Sequence, residues 1–191
     1  GVGQVDLDER EFRVVPVAIA VRVKLDDREI SGRHRFGGRL VKHKRHRLAA
    51  AVADPDPVLY YEHIALYRDP RVKQQLDSHA PAPLPIGRAA LRRSGDDLAI
   101  ISYGAYVHAS MRVAERLSAE GIEASVLDLR SLVPLDREAV LTLARHTGKV
   151  LIVHEDSRTG GIGESLAAII QEEAFDALDA PIRIVAALDT P

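Results

Sequence analysis

The stretch with the most potential for chemistry is residues 154–165, which read HEDSRTGGIGES. It joins a run of charged side chains to three glycines, and an amphipathic helix begins within it. Glycines between a strand and a helix often let main-chain N–H groups surround a phosphate. Two interpretations are open: the loop binds a phosphate-bearing cofactor, or its glycines only let the helix pack closely on the sheet.

The charges and the spacing around this loop favour the packing interpretation. Glu155, Asp156 and Glu164 would repel a phosphate, and Glu164 is placed where it stabilises a helix dipole. A dinucleotide site requires G-x-G-x-x-G directly after the first strand of a βαβ unit. The segment GAYVHA after that strand has one glycine, and TGGIGES lacks the third glycine at the required spacing. The motif G-x-x-x-x-G-K-[ST] is also missing, so we do not expect a nucleotide site.

Nucleophilic and metal-dependent chemistry find equally little support. The serines at 102, 110, 131, 157 and 165 occur without a G-x-S-x-G motif, and the chain has no cysteine. The histidines at 108, 146 and 154 could act as bases, but none has an evident nucleophile, and we interpret His154 as a structural or interface residue. His43 and His46 are three residues apart with nothing to complete a metal coordination sphere.

The elements that must position these residues alternate between strand and helix patterns. Apolar runs bounded by acidic residues and glycine predict four strands, at 96–104, 122–130, 149–155 and 180–188. Three- and four-residue apolar spacing predicts helices at 106–120 and from Ile162 to Ala174, and a third, capped by Asp136, runs to Thr147 before Gly148. This order predicts a doubly wound α/β fold with a mostly parallel sheet.

The balance of basic and acidic residues changes near residue 48. Residues 1–47 contain 12 Lys and Arg against 7 Asp and Glu, whereas the remainder contains 14 against 21. Residues 13–25 are rich in β-branched side chains and predict a strand at a sheet edge, where Pro16 is tolerated. In 33–47, ten of fifteen residues are Lys, Arg or His. This run predicts an irregular, solvated segment; binding of nucleic acid or an acidic partner is the alternative, but no aromatic residues interleave the charges.

Residues 56–64, DPVLYYEHI, predict a short strand, and the proline-rich residues 79–87 predict an extended linker. No apolar run approaches the roughly 18 residues of a membrane span. The N-terminus also lacks the basic, apolar and small-residue pattern of an export signal, so we expect a cytoplasmic protein.

Five segments resemble one family in collinear order. They read DPDPVLYYEHIALYR (54–68), LPIGRAALRRSGDDLAIISYGAYVH (84–108), GIEASVLDLRSLVPLD (121–136), KVLIVHEDSRTGGIGESLAAIIQEEAF (149–175) and LDAPIRIVAALDTP (178–191). Residues 48–191 thereby resemble the beta part of the thiamine-diphosphate-dependent 2-oxo-acid dehydrogenases, above all the branched-chain (2-oxoisovalerate) type and its pyruvate and acetoin relatives. DLRSLVPLD and HEDSRTGG are the most specific of these motifs.

The resemblance implies a division of the chain into four parts. These are an atypical basic segment (1–47), the end of a pyrimidine-binding-domain-like region (48–78), a proline-rich linker (79–88) and a transketolase-C-like αβ domain (89–191). Residues 1–47 depart from the family pattern, and one hypothesis is a misplaced start or a shifted reading frame.

The resemblance also implies a parent reaction and its cofactor. The parent enzyme would decarboxylate a branched-chain 2-oxo acid or pyruvate and transfer the acyl group to a lipoyl acyltransferase. It would use thiamine diphosphate and magnesium. The family's Gly-Asp-Gly motif and its activating glutamate are not found in this sequence. No catalytic, cofactor-binding or metal-binding residue is therefore carried over, and we expect no cofactor on this chain alone.

The implied partners are an alpha component, a second beta copy and the peripheral subunit-binding domain of the dihydrolipoyl acyltransferase. Asp179, in the segment LDAP, is carried over as a docking residue for that domain. We expect neither membrane nor nucleic-acid binding, and we expect the isolated chain to serve assembly and to be inactive. Two alternatives are a non-catalytic αβ interaction module with a basic tail and a fragment of a transketolase-like enzyme.

Overall fold

The computed structural model describes residues 13–15, 39–64, 66 and 84–189, with 13–15 and 39–45 described as backbone only. The strands are β1 (Arg13–Val15), β2 (Val58–Tyr60), β3 (Ala90–Arg93), β4 (Leu98–Ser102), β5 (Ala124–Asp128), β6 (Val150–Ser157) and β7 (Arg183–Ala187). The helices are α1 (Arg39–Ala53), α2 (Tyr106–Ala119), α3 (Arg137–Thr147) and α4 (Ile162–Ala174), and a 3-10 turn follows at Phe175–Ala177. None of these described helices is both long and apolar enough to cross a membrane.

The main sheet has five strands in the order β3-β5-β4-β6-β7. Strands β5, β4, β6 and β7 are parallel, and β3 is antiparallel to β5 at one edge. The chain leaves β4 for β5 on one side, then crosses to β6 on the other side of β4. The predicted α/β fold with a mostly parallel sheet is therefore confirmed. Strands β1 and β2 form a separate parallel pair.

Helices cover both faces of the sheet because the buried strands are apolar on both sides. In β4, Ile100 packs with Val107 and Ala114 of α2. The neighbouring residues Ala99 and Ile101 face the opposite side, where they join one cluster with α3 and α4. All three β4 residues are almost completely buried. The uninterrupted apolar run that predicted this strand thus reflects two cores, one on each side of a single strand.

Strand β3 was not predicted from the sequence. It is four residues long and reads ALRR, which has neither the apolar run nor the alternation of a core strand. Two guanidinium groups fix it to its neighbour: Arg92 Nη2 lies 2.6 Å from Asp128 Oδ2, and Arg93 Nη1 donates to the Ala124 carbonyl at 2.7 Å. A register shift between Leu91 and Arg93 interrupts the ladder. Short, charged and irregular strands are typical of sheet edges.

The N-terminal part differs from the sequence-based expectation. Residues 39–53 form helix α1, so the prediction of an irregular basic segment is wrong for residues 39–47. The run LAAAVA that completes the helix contains strong helix formers, which the count of charges concealed. Of the strand predicted at 13–25, only β1 lies among the described residues, where it pairs with β2. The rest of that prediction, and most of the proline-rich linker, lie outside them.

Asp136 caps α3 as predicted, and it also holds a second segment. Its Oδ1 atom accepts a hydrogen bond from the Ala139 N–H at 3.2 Å, which satisfies a free donor of the first helical turn. Its Oδ2 atom accepts from the Ala89 N–H, just before β3, at 2.9 Å. The side chain is buried between these partners. One carboxylate therefore joins a helix terminus to the edge of the sheet.

We predict that Asp136→Ala lowers the free energy of unfolding by roughly 2 kcal/mol or more, because a helix cap is lost and a buried donor is left unpaired. Urea denaturation followed by circular dichroism measures the change. Asp136→Asn, which keeps one oxygen acceptor, should fall between the wild type and Asp136→Ala. Glu172→Ala, on the exposed face of α4, is the matched control. Equal stabilities of Asp136→Ala and the control would contradict the dual role.

Candidate functional site

The best-placed candidate site is the edge of the sheet at the carboxyl ends of β4 and β6. These strands are neighbours, yet their following helices α2 and α4 cover opposite faces of the sheet. In open α/β sheets, ligands bind outside the carboxyl ends of strands where the direction of winding reverses. Here that position is formed by Ser102 and Tyr103 after β4 and by His154 and Glu155 within β6.

An imidazole fills the centre of this edge. His154 is 1% exposed, and its ring stacks on Tyr103 with centroids 6.2 Å apart and an interplanar angle of 12°. Ser102 Oγ donates to the Val153 carbonyl at 2.8 Å, which holds the two strand ends together. Neither ring nitrogen of His154 has a hydrogen-bond partner within the described part of the chain. The residue therefore packs as a flat, nearly apolar group, in agreement with the structural interpretation.

The glycines of the TGGIG loop make room for this ring. A Cβ atom on Gly163 would overlap His154 Nε2 and lie 3.1 Å from Ile184 Cγ2. A Cβ on Gly161 would lie 3.0 Å from His154 Cε1 and overlap the Ser157 carbonyl. Both glycines are buried, so a residue with a side chain would not fit at either position. The loop thus brings the start of α4 onto β6, as the packing interpretation predicts.

Two residues of the same loop, Thr159 and Gly160, donate hydrogen bonds to acidic side chains of this chain. The Gly160 N–H donates to Glu164 Oε2 at 3.1 Å. The Thr159 N–H and hydroxyl donate to the Asp189 carboxylate at 3.1 and 2.6 Å. These hydrogen bonds hold the pKa of Asp189 below its usual range. A phosphate would have to displace two carboxylates, so the loop is poorly suited to one.

The electrostatics of the edge keep its two rings neutral. Burial raises the pKa of the Tyr103 hydroxyl to about 12, and the negative charges of Asp156 and Glu155 add to the effect. Burial lowers the pKa of His154, although the neighbouring Asp156 favours its protonated form. At neutral pH the tyrosine therefore keeps its proton and the imidazole is uncharged. Neither ring lies beside an activated nucleophile in the described residues.

A residue from outside the αβ domain reaches the same edge. His63 Nε2 lies 2.6 Å from Glu155 Oε2, with the histidine side chain 25% exposed and the glutamate 49% exposed. The contact joins the stretch after β2 to the carboxyl end of β6. Sequence reasoning missed this pair because the two residues are 92 positions apart. The edge is thus a point of contact between the αβ domain and the segment that follows β2.

The other sequence candidates lie elsewhere. His146 forms an exposed pair with Asp96 at 2.7 Å, before the start of β4 and so at the opposite end of the sheet. The hydroxyls of Ser131 and Ser157 donate to main-chain carbonyls of Pro134 and Thr159. Among the described residues, no three His, Asp or Glu side chains are grouped to hold a metal ion. The side chain of His43 lies outside those residues.

Asp179, the docking candidate, lies after the 3-10 turn and is exposed. Its main-chain N–H donates to the Gly148 carbonyl at 2.7 Å, and its carboxylate lies 3.7 Å from Lys149 Nζ. A Cβ on Gly148 would overlap this carboxylate, so the left-handed glycine that ends α3 also accommodates Asp179. The carboxylate remains accessible to a partner, and its docking role stays a prediction.

We predict that Gly163→Ala destabilises the chain by about 1–3 kcal/mol, since the added methyl group collides with a buried ring. The double variant Gly163→Ala/His154→Ala should lose less stability than the sum of the losses of the two single variants, because the collision disappears with the ring. Chemical denaturation of the wild type, the two single variants and the double variant gives the coupling free energy between the two positions. Ser165→Ala, at an exposed position two residues further along α4, is the control. Strictly additive losses would show that the glycine is not required by His154.

Comparison with known proteins agrees with this architecture. The family model of the transketolase C-terminal domain matches residues 87–191. A solved split-gene transketolase, described as an inactive beta4 tetramer, superposes with a TM-score of 0.65 at 24% identity. That superposition covers 94% of this chain and 49% of the other. At this identity the likeness shows the fold alone.

Curated relatives are closer in sequence. The 2-oxoisovalerate dehydrogenase subunit beta of Bacillus subtilis (strain 168) is 47% identical over 144 residues. The pyruvate dehydrogenase E1 component subunit beta of the same organism is 38% identical over 143 residues. Each match covers 75% of this chain and 43% of the relative, so the chain spans less than half the length of these relatives. The chain belongs to the transketolase C-terminal domain family, and it is similar to the C-terminal region of the beta subunits of 2-oxo-acid dehydrogenases.

Proposed function

We propose that this chain is the C-terminal part of the beta component of a branched-chain-type 2-oxo-acid dehydrogenase and that it serves assembly and docking. The parent reaction would be decarboxylation of a 2-oxo acid on thiamine diphosphate, followed by reductive acyl transfer to a lipoyl group. The observation that carries the choice of type is the identity of 47% with the 2-oxoisovalerate enzyme subunit, against 38% with the pyruvate enzyme subunit over the same length.

The described residues do not fit a diphosphate or its magnesium ion. Thr159 and Gly160 of the TGGIG loop donate to Asp189 and Glu164, and the space beside Gly163 contains the ring of His154. The carboxyl edge of β4 and β6, where such folds bind ligands, is thus filled by side chains of the chain itself. We infer that the cofactor binds to other parts of the parent enzyme.

An assembly role is supported by apolar side chains near the β2 region. Val58, Leu59 and Tyr60 of β2, which pairs with β1, are half-buried. The exposed apolar groups are their neighbours on α1 and after β2: Leu48 at 49%, Val52 at 59%, Tyr61 at 46% and Ile64 at 73%. Apolar surface of this kind marks an interaction site, which fits contact with the alpha component or a second beta copy.

We predict that the purified chain, supplied with thiamine diphosphate, magnesium and 3-methyl-2-oxobutanoate, produces no carbon dioxide above background. It should nevertheless co-purify with a branched-chain-type alpha component when the two are co-expressed, because the assembly surface is present. A complete branched-chain dehydrogenase serves as the positive control for the activity assay. Thiamine-dependent turnover by the chain alone, or a failure to retain the alpha component, would contradict the proposal.

We predict that Asp179→Asn weakens binding of the acyltransferase's peripheral subunit-binding domain about tenfold, because it removes one charge from an interfacial ion pair. The amide is nearly isosteric and preserves the packing against Gly148. Asp176→Asn changes an exposed carboxylate three residues away and is the control. Calorimetric titration of each chain with the domain measures the affinity. The same affinity for both variants would exclude Asp179 from the interface.

A further inference from the structure

Four arginines from distant parts of the sequence meet near the end of β5. Arg92 is in β3, and Arg130 lies two residues after the end of β5. Arg47 and Arg88 complete the group; Arg47 comes from α1 and is itself buried. Three of the four line one small cavity, together with apolar and hydroxyl groups: Arg47, Leu84, Pro85, Ile86, Arg88, Arg130 and Ser131. We call this space the arginine cavity.

The carboxylates nearby are already engaged. Asp128 Oδ2 accepts from Arg92 Nε and Nη2 at 3.1 and 2.6 Å, and its Oδ1 accepts from the main-chain N–H of Arg130 at 3.3 Å. Asp136 caps α3, and the Arg88 guanidinium approaches it only to 3.9 Å. The two described carboxylates beside Arg130 are thus occupied by other donors.

Arg130 is the member with an unpaired guanidinium nitrogen. Its Nε atom is inside the protein surface and makes no hydrogen bond with the described residues. Burial lowers the pKa of Arg130, and the like charges of Arg92 and Arg47 act in the same direction, against the opposing effect of Asp128. An unpaired buried donor on a charged group is costly unless something binds to it.

The backbone at Arg130 is also unusual. Its φ of 59° makes it the only described residue other than glycine with a positive φ. A left-handed conformation is unfavourable for a long side chain and is frequent at functional sites. The following turn is fixed by hydrogen bonds from Ser131, whose N–H donates to the Leu129 carbonyl at 2.6 Å and whose hydroxyl donates to the Pro134 carbonyl at 2.7 Å. The chain thus holds Arg130 in a strained conformation at the wall of a cavity.

We propose that the arginine cavity binds an oxyanion group, a carboxylate or a phosphate, with Arg130 as its principal ligand. The enclosed volume of about 10 Å³ admits roughly one oxygen-sized atom. The anion therefore enters by one oxygen and keeps the rest of its group at the mouth. Guanidinium groups suit this task because their fixed N–H donors match carboxylate and phosphate oxygens. The site is separate from the β4–β6 edge and from Asp179, and it does not depend on the proposed function.

The test is thermal unfolding of the full chain in sodium phosphate, sodium acetate and sodium chloride at equal ionic strength. We expect phosphate or acetate to raise the unfolding midpoint above its value in chloride, because a ligand that binds the folded state stabilises it. Arg130→Gln should abolish this difference and weaken the measured affinity about tenfold or more. Arg112→Gln, an exposed arginine of α2, should respond like the wild type.

A second variant separates binding from folding. Arg130→Gly removes the guanidinium and is compatible with the left-handed backbone, so it should stay folded and also lose the response to the anion. A response to acetate alone indicates a protein carboxylate as the natural ligand, and a response to phosphate alone indicates a phosphorylated molecule. Either supports the site. Identical responses in all variants, or no response beyond that to chloride, would overturn it.

Discussion

The packing of the His154 ring against Gly161 and Gly163 determines how helix α4 joins the sheet at the carboxyl ends of β4 and β6. His154 lies under the start of α4, where Gly161 and Gly163 leave it just enough space. Because the ring is fully buried and stacked on Tyr103, it also connects β6 to the end of β4. A larger residue at either glycine would have to move the helix or the ring. The position of α4, and with it the second half of the apolar core, therefore depends on this contact.

The same packing explains why a site that commonly binds ligands is closed here. In doubly wound sheets the carboxyl edge at the reversal of winding is usually an open crevice. In this chain, the buried ring of His154 stacks on Tyr103 at this edge, and Asp189 and Glu164 accept hydrogen bonds from Thr159 and Gly160. The edge instead meets another protein segment through His63 and Glu155.

Charged side chains hold the edge strand β3 on the other side of the sheet. The edge strand β3 is too short and too polar to be held by apolar contacts alone, and its arginines compensate by pairing with Asp128 and with groups at the start of β5. These pairs bring several guanidinium groups close together, which costs energy unless negative charge is supplied. Asp128 supplies part of it to Arg92, while the Nε atom of Arg130 has no hydrogen-bond partner among the described residues. This unpaired donor on a residue with a left-handed backbone is the least satisfied group on this side of the sheet.

The sequence by itself determined the order of elements, the caps of α3 and the family. These are local features: apolar runs, three- and four-residue spacing, and single residues such as Asp136 and Gly148 each act within a few positions of the chain. Helix α1 and strand β3 escaped prediction because their composition is dominated by charge, and β3 also depends on partners that lie elsewhere in the sequence. Only the tertiary structure decided that Glu155 meets His63, that Gly163 accommodates His154, and that Arg47 and Arg130 share a cavity. Such contacts join chain segments whose separation leaves no periodic or compositional trace, so they become visible only once the sheet has brought the segments together.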